Sequence, residues 1–313
     1  MRLNRLDMNL IIALEAILRL RSVTAAAGEL NLTQPAVSQA LRRLREHFDD
    51  PIVSLAGRRM RPTEFGEQLF VAATQLLNET RHFSQMRPGF DPASTERKFS
   101  IIASDFVLKV LFAPLLPVLA REAPGVTLQM VPIDAPSDAR FQRGEVDFAV
   151  IPDRFLYDGH PHRLLFTDDF VCVLSEDHPD IADSMSAETY LSLRHVITEF
   201  GGTWRGSHFE QWALDTAIEL NVACSVPSFA MLADCLVGTP YVATMHRSLW
   251  NSLPPGTGLR AVPHPLPVPR ISENLQWHEI REFDSSVRWF RDLVIRVARE
   301  QFPDTEAEPV SGP

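Results

Sequence analysis

Cysteine is scarce in this chain of 313 residues, and Cys172, Cys224 and Cys235 stand far apart with no CxxC spacing. That pattern argues against a disulfide framework or a zinc-thiolate site. The thiols read as small core residues of a reducing compartment. His160 and His162 are the one close histidine pair, with no cysteine nearby, so neither a metal site nor a cofactor is expected. No apolar run approaches the ~18 residues of a membrane span, and the segment from Met1 to Asn9 lacks the apolar stretch of a secretory signal. The sequence therefore predicts a cytoplasmic protein with no membrane partner. GxSxG, GxxxxGK[ST] and HExxH are all missing, and no GxGxxG follows the first α/β strand. An enzyme of the α/β class that relies on one of these motifs is thereby disfavoured. Internal repeats and low-complexity tracts are absent as well.

What is present is a composition 45% apolar and 22% charged, that of a folded globular protein, at a length fit for two or three domains. The net charge of −10 is unevenly spread. Residues 1–62 carry +4, with arginine in place of any lysine, residues 63–98 carry −1, and residues 99–313 carry −13. An acidic protein thus begins with a mildly basic head, which reverses the argument against nucleic acid for that part alone.

The head reads as helices. Leu10, Ile11, Leu14, Ile17 and Leu18 form one helical stripe from Asp7 to Leu20. A short helix over 22–30, rich in alanine, ends at Asn31, a residue tolerant of positive φ. Thr33 can cap a third helix with Pro35 in its first turn. In that helix Val37, Leu41 and Leu44 face inward, and Gln34, Ser38, Arg42 and Arg45 face outward. Two helices joined by so short a turn, the second with an outward polar face, make a helix-turn-helix; the alternative is a packing unit with a solvated face. Strands over 52–55 and 58–61 around Ala56-Gly57 would form a wing, and its arginines suit a phosphate backbone or minor groove. Thr63 then caps a long helix whose Phe65, Leu69, Ala73, Leu76, Thr80 and Phe83 are spaced as a coiled-coil seam. Such a helix either pairs two chains or packs on the protein's own core. Residues 87–97 read as a hinge.

From Lys98 onward the pattern is β-α-β-α-β, then a second set of alternating strands and helices, with crossings near 167 and 266 and a final helix over 284–301. This predicts two parallel-sheet subdomains, one built of 98–166 and 267–302 and the other of 167–266, with a ligand cleft between them. Residues 303–313 read as a disordered tail.

These residues closely resemble the LysR-type transcriptional regulators over residues 6–302. The most specific stretches are Leu6-Asp-Met-Asn-Leu10, Ser22-Val-Thr-Ala-Ala-Ala27, Leu32-Thr-Gln-Pro-Ala-Val-Ser-Gln-Ala-Leu41 and Arg58-Arg-Met-Arg-Pro-Thr63. The second half resembles the subgroup that answers to aromatic compounds, including regulators of aromatic degradation and of nodulation genes, through Leu165-Phe-Thr-Asp-Asp-Phe-Val-Cys172, His178-Pro179 and Asn274-Leu-Gln-Trp-His278. The implied fold is a winged helix-turn-helix, a linker helix over 63–86, and an α/β effector domain of two Rossmann-like subdomains, as in periplasmic binding proteins. The implied partners are double-stranded promoter DNA, a small aromatic inducer such as a phenol, hydroquinone or aromatic acid, RNA polymerase, and further copies of the chain, as a dimer through 63–86 and then a tetramer. One departure stands out: Val53 and Leu55 occupy wing positions where the subgroup carries an aromatic and an arginine.

For DNA, the residue chemistry and the resemblance point to Thr33, Gln34, Pro35, Ala36, Ser38 and Gln39. Gln34 can read adenine, and Pro35 and Ala36 can touch thymine methyls. Arg42, Arg58, Arg59 and Arg61 would position the backbone. For the effector, the resemblance points to Ser104, Asp105 and Phe106, to Phe200, Gly201, Thr203 and Trp204, and to Ser228 and Phe229 with Met245 and His246; His208 is a further candidate as a titratable donor. For each aromatic the plain alternative is core packing, and for His208 a surface histidine. A small-molecule-binding protein whose head serves protein contacts also fits the sequence.

Overall fold

The computed structural model describes residues 6–56, 59–85, 90–200 and 205–305. The chain divides into two compact units, 1–87 and 88–313. In the first unit, helix α1 (Met8–Leu20) starts at Asp7, whose carboxylate accepts the Leu10 amide. Helix α2 (Val23–Glu29) is capped by Ser22, and α3 (Gln34–Phe48) by Thr33 with Pro35 in its first turn. Asn31 between them takes φ 54°, the left-handed turn its side chain tolerates. The inward stripe of α1 packs against Ala26, Ala27, Val37, Leu41 and Leu44.

The wing is an antiparallel pair, β1 (Val53–Ala56) and β2 (Arg59–Pro62), one residue later than the sequence predicts. The shift has a cause: Ile52, expected to open the strand, sits buried at φ 61°. This rare conformation for a β-branched residue is held from both sides. The Ile52 amide donates to Asp50 at 2.5 Å, and the Ile52 carbonyl accepts from the Thr63 amide at 2.9 Å. Arg45 ties in the same corner by donating to the carbonyls of Pro51 and Val53 at 2.8 and 3.3 Å.

Helix α4 (Glu64–Gln85) carries the expected stripe, but the stripe divides. Phe65 meets Phe48 edge-on, while Leu69 and Ala73, joined by Phe70 and Leu77, belong to the core of their own head. Leu76 and Phe83 stand exposed, Phe83 at 76%.

The second unit holds two sheets. The first runs in the order β4 (Val126–Val131), β3 (Arg97–Ala103), β5 (Phe148–Pro152), β13 (Ile271–Trp277), β6 (His162–Asp168). Strands β4, β3 and β5 are parallel, as the β-α-β-α-β order requires. Strand β13 is antiparallel to both its neighbours, so the sheet is mixed rather than wholly parallel. Its helices are α5 (Asp105–Val107), a π turn (Leu108–Phe112) and α6 (Ala113–Glu122) in one continuous run, then α7 (Ala135–Gln142). The π turn ends at Phe112, two residues before Pro114 in the first turn of α6. The last helix, α12 (Ser285–Gln301), packs on this sheet through Phe290, which stacks on Phe99 at 4.5 Å.

The second sheet has the order β10 (Val222–Val226), β8 (Arg194–Phe200), β11 (Tyr241–His246), β7 (Phe170–Ser175), β12 (Leu259–Pro263), with β9 (Arg205–Gly206) on the side of β8. Its helices are α8 (Ala187–Ser192), α9 (His208–Asp215), α10 (Ala230–Asp234) and α11 (Arg247–Asn251). The chain passes between sheets at Asp168–Asp169 and again between Pro263 and Ile271. One apolar cluster draws Phe99, Phe148 and Phe290 from the first lobe and Val173, Phe229 and Met245 from the second. Residues 306–313 of the expected tail, residue 86 of the expected linker helix, 87–89 of the expected hinge, and Gly57 of the wing turn lie outside the described residues.

Candidate functional site

Two surfaces collect the functional candidates. On the head, Thr33 Oγ1 accepts the Ala36 amide at 3.4 Å, which leaves the first turn of α3 open to solvent. Gln34, Pro35, Ala36, Ser38, Gln39 and Arg42 are all exposed, while Val37, Leu41 and Leu44 are buried beneath them. The burial of every third or fourth residue thus fixes which side chains can reach a groove. Arg42 makes only a 3.9 Å contact with exposed Glu46, so its charge remains available to a phosphate. Arg61 on β2 is exposed. Arg58 lies outside the described residues, as does the Arg59 side chain. Arg45 is exposed on the same outward face, and its guanidinium donates to the wing-base carbonyls of Pro51 and Val53.

The second surface is a cleft between the lobes of the effector unit. Its empty volume is about 550 Å³, counting the part open to solvent. The first lobe contributes Ser104, Ile133, Asp138, Val150, Ile151, Pro152, Phe155, Tyr157, Ile271 and Glu273; the second contributes Phe200, Gly206, Ser207, His208, Phe229 and His246. One wall is locked by Gln276, which accepts the Tyr157 amide at 2.9 Å and donates back to the Tyr157 carbonyl at 2.7 Å. The Tyr157 hydroxyl donates to Asp138 at 2.5 Å. Ser104 Oγ accepts the Val107 amide at 3.2 Å, so the hydroxyl proton can still serve a ligand.

Five of the sequence candidates line the cleft: Ser104, Phe200, His208, Phe229 and His246. Gly201, Thr203 and Trp204 lie outside the described residues. Three candidates are corrected. Phe106 is fully buried and stacks on the His246 ring at 3.8 Å, forming the floor beneath the cleft rather than its lining. Met245, 1% exposed, points into the core from the strand where its neighbour His246 faces the cleft. Alternation along a strand makes that choice. The Asp105 carboxylate is occupied by the other lobe: it accepts from Ser228 Oγ at 2.7 Å, the Phe229 amide at 3.1 Å and the Ala230 amide at 2.7 Å. It therefore caps α10 across the lobe boundary. Two further links cross it: Arg154 pairs with Asp215, and Asp168 accepts from the Ser248 amide and hydroxyl.

Sequence reasoning missed Glu273. Glu273 is 2% exposed and its Oε2 has no hydrogen-bond partner. Burial, reinforced by the charges of Asp153 and Asp168, pushes its carboxyl up to about 8. It is thus the neutral acid at pH 7. His246, 1% exposed, also has an unpartnered Nδ1, and burial, aided by His208, holds it down at about 3. His208 Nδ1 is unpartnered as well, and burial together with the Arg154 charge lowers its pKa. Both imidazoles are therefore neutral. Three buried polar atoms without protein partners around one apolar cleft are what a ligand-binding site looks like before its ligand arrives.

Both units match known protein families. Residues 8–67 match the bacterial regulatory helix-turn-helix protein, lysR family, and residues 92–299 match the LysR substrate binding domain. The chain belongs to the LysR family. It is 35% identical to nodulation protein D 1 of Mesorhizobium japonicum over 298 residues, 95% of each chain. With nodulation protein D 2 of Rhizobium meliloti it shares 36% identity, over 96% of this chain and 98% of that protein. Among solved structures, a Pseudomonas aeruginosa protein described as a probable transcriptional regulator has a TM-score of 0.63 at 29% identity, covering 93% of this chain and 97% of that one. Full-length OxyR from the same organism has a TM-score of 0.70 at 17% identity, covering 98% and 99%. This LysR-family chain is a DNA-binding transcription regulator with an effector domain, in a family whose members bind promoter DNA and assemble as oligomers. Among the described residues no helix is long and apolar enough to cross a membrane, and no cluster of metal-ligating side chains occurs.

Proposed function

We propose that this LysR-family regulator binds a small aromatic compound between its effector lobes and that the compound alters how its heads hold promoter DNA. The observation that carries the reading is the cleft. Phe155, Tyr157, Phe200 and Phe229 supply flat apolar walls, and Ser104, His208, His246 and Glu273 supply a few buried polar atoms. That combination suits a ring bearing polar substituents.

Each head would place Gln34, Ser38 and Gln39 against base edges, with Pro35 and Ala36 near thymine methyls and Thr33 holding the start of the helix. Arg42 and Arg61, with Arg58 and Arg59, would follow the phosphates. Pairing of two chains would use the exposed half of α4, around Leu76 and Phe83, leaving its first half to the head core. Tetramer formation and contact with RNA polymerase would follow on the promoter. An effector favouring one lobe angle shifts the population of that angle, and only by its differential affinity for the two. Asp105, Arg154 and Asp168 are the links across which the angle would change.

The test is a thermal-shift screen of phenols, hydroquinones and aromatic acids against the native chain and an Ile151→Trp variant. Ile151 lines the cleft at 4% exposure, so an indole there fills it. A ligand at 100 times its Kd stabilises the native state by about 2.7 kcal/mol. The expected result is a raised midpoint for at least one aromatic, lost in the variant. Stabilisation that survives in Ile151→Trp would place the ligand elsewhere.

A further inference from the structure

We propose that the cleft takes its effector uncharged, through a ring hydroxyl seated among Glu273, His208 and His246, and rejects the carboxylate analogue of the same ring. The proposal rests on the reading of the cleft as the effector site and goes further by naming the ligand's charge state and the atoms that select it.

The argument begins with the unpartnered atoms. Glu273 Oε2, His208 Nδ1 and His246 Nδ1 are each buried and lack a hydrogen-bond partner, and all three residues line the cleft. They come from β13 of one lobe and from α9 and β11 of the other, so a single ligand group that meets all three bridges the lobes. A buried polar atom without a partner costs roughly 1–3 kcal/mol, and three on residues that line one cleft mark it as the place where a ligand would supply that partner.

Their chemistry then limits the ligand. A neutral imidazole has one N–H and one lone pair, and which nitrogen carries the proton adapts to its partner. A neutral carboxyl likewise both donates and accepts. A hydroxyl is the complement of such ambivalent groups, because it donates once and accepts twice. A carboxylate only accepts, and it brings a charge that the cleft would have to compensate.

The charges on hand do not compensate it. Among the described residues lining the cleft there is no lysine or arginine. The cation nearest His208 is Arg154, already paired with Asp215. The groups facing Glu273 from its neighbours are acidic: Asp153 in the turn after β5 and Asp168 at the end of β6. Arg163 of β6 stands opposite Leu275, two residues further along β13. Asp138 of α7 also lines the cleft. An anion entering would meet a negative potential in a site of low dielectric.

The experiment compares matched pairs by titration calorimetry on the full-length protein: hydroquinone with 4-hydroxybenzoate, and 4-hydroxybiphenyl with biphenyl-4-carboxylate. The hydroxyl member of a pair is expected to bind at least tenfold tighter at pH 7. Its affinity should fall about tenfold from pH 7 to pH 9, as Glu273, with its pKa of about 8, loses its proton. Phenols ionise near 10 and stay mainly neutral over that range. In Glu273→Gln, which keeps a donor and removes the titration, that fall should disappear. Equal or tighter binding of the carboxylate, abolished by Ile151→Trp, overturns the proposal and leaves the effector cleft standing. An unchanged pH profile in Glu273→Gln overturns the role of Glu273. If no member of either pair binds at millimolar concentration, the cleft reading fails and the proposal with it.

Discussion

Replacing Glu273 with glutamine should stabilise the effector unit, although it touches the centre of the proposed site. Glu273 is 2% exposed, and its carboxyl is raised from an ordinary 4.5 to about 8. The sign follows from proton counting. Above pH 4.5 the unfolded chain ionises this group while the folded chain does not. Stability present below pH 4.5 is therefore lost progressively as pH rises, until the folded group also ionises near 8. At 1.36 kcal/mol per unit, the loss is about 1 kcal/mol at pH 5, about 3 kcal/mol at pH 7 and about 4 kcal/mol at pH 8. Glutamine has nearly the same shape and never ionises, so Glu273→Gln should recover those amounts. Urea unfolding of both proteins at pH 5, 7 and 8, followed by tryptophan fluorescence with Trp277 buried in the same strand, measures the difference. A gap that widens with pH supports the account. A gap constant from pH 5 to pH 8, or a destabilised variant at pH 8, refutes the reasoning about Glu273.

Four further predictions concern the other parts. Gln34→Ala should lose about 1–3 kcal/mol of binding to the preferred DNA sequence and relax the preference at one base pair; equal loss on all sequences in a competition assay would show that Gln34 does not read a base. Arg42→Ala should weaken all duplexes alike and lower the slope of log K against log salt by about 1; an unchanged slope would remove Arg42 from the phosphate contacts. Gly66→Ala should cost at least about 2 kcal/mol, because a Cβ there would lie 2.2 Å from the Ile52 carbonyl oxygen, a backbone atom that cannot swing away. Head stability that stays within 0.5 kcal/mol of the parent, by roughly the scatter of surface changes, would contradict the wing-base geometry. Asp105→Ala strips the partner from one hydroxyl and two amides and should destabilise the unit by about 2 kcal/mol. It should also change the radius of gyration in solution scattering, and no change in either would mean that this link does not hold the lobes.

The head was legible because its determinants are local. Thr33, Pro35 and the Val37, Leu41, Leu44 spacing act within one helix, and Asn31 takes the positive φ its side chain permits. The wing shifted by one residue because Asp50 and Thr63, distant in sequence from each other, hold Ile52 in the left-handed region. The seam of α4 divided because spacing specifies a stripe but not what covers it. In the effector unit the strands could be read, but not their neighbours. Placing β13 antiparallel between β5 and β6 needs pairing across more than a hundred residues. That placement buries Glu273, which in sequence looks like one polar residue among Ser272, Asn274 and Gln276. A central strand covered on both faces yet carrying a glutamate was the signal available. Asp105 misled for the same reason: it looks like a helix N-terminus open to a ligand, and its carboxylate is claimed by residues more than 120 positions away.

The central claim is that a small aromatic in the cleft governs how this regulator holds DNA. It is tested most directly by selecting chromosomal fragments with the full-length protein and then footprinting the selected duplex with DNase I, with and without hydroquinone or 4-hydroxybiphenyl. The account predicts protection of two half-sites by a dimer or larger assembly. It also predicts that the aromatic changes the extent of protection or the hypersensitive positions that mark bending, and that Ile151→Trp does not respond. A footprint identical with and without aromatics that calorimetry shows to be bound in the cleft would contradict it.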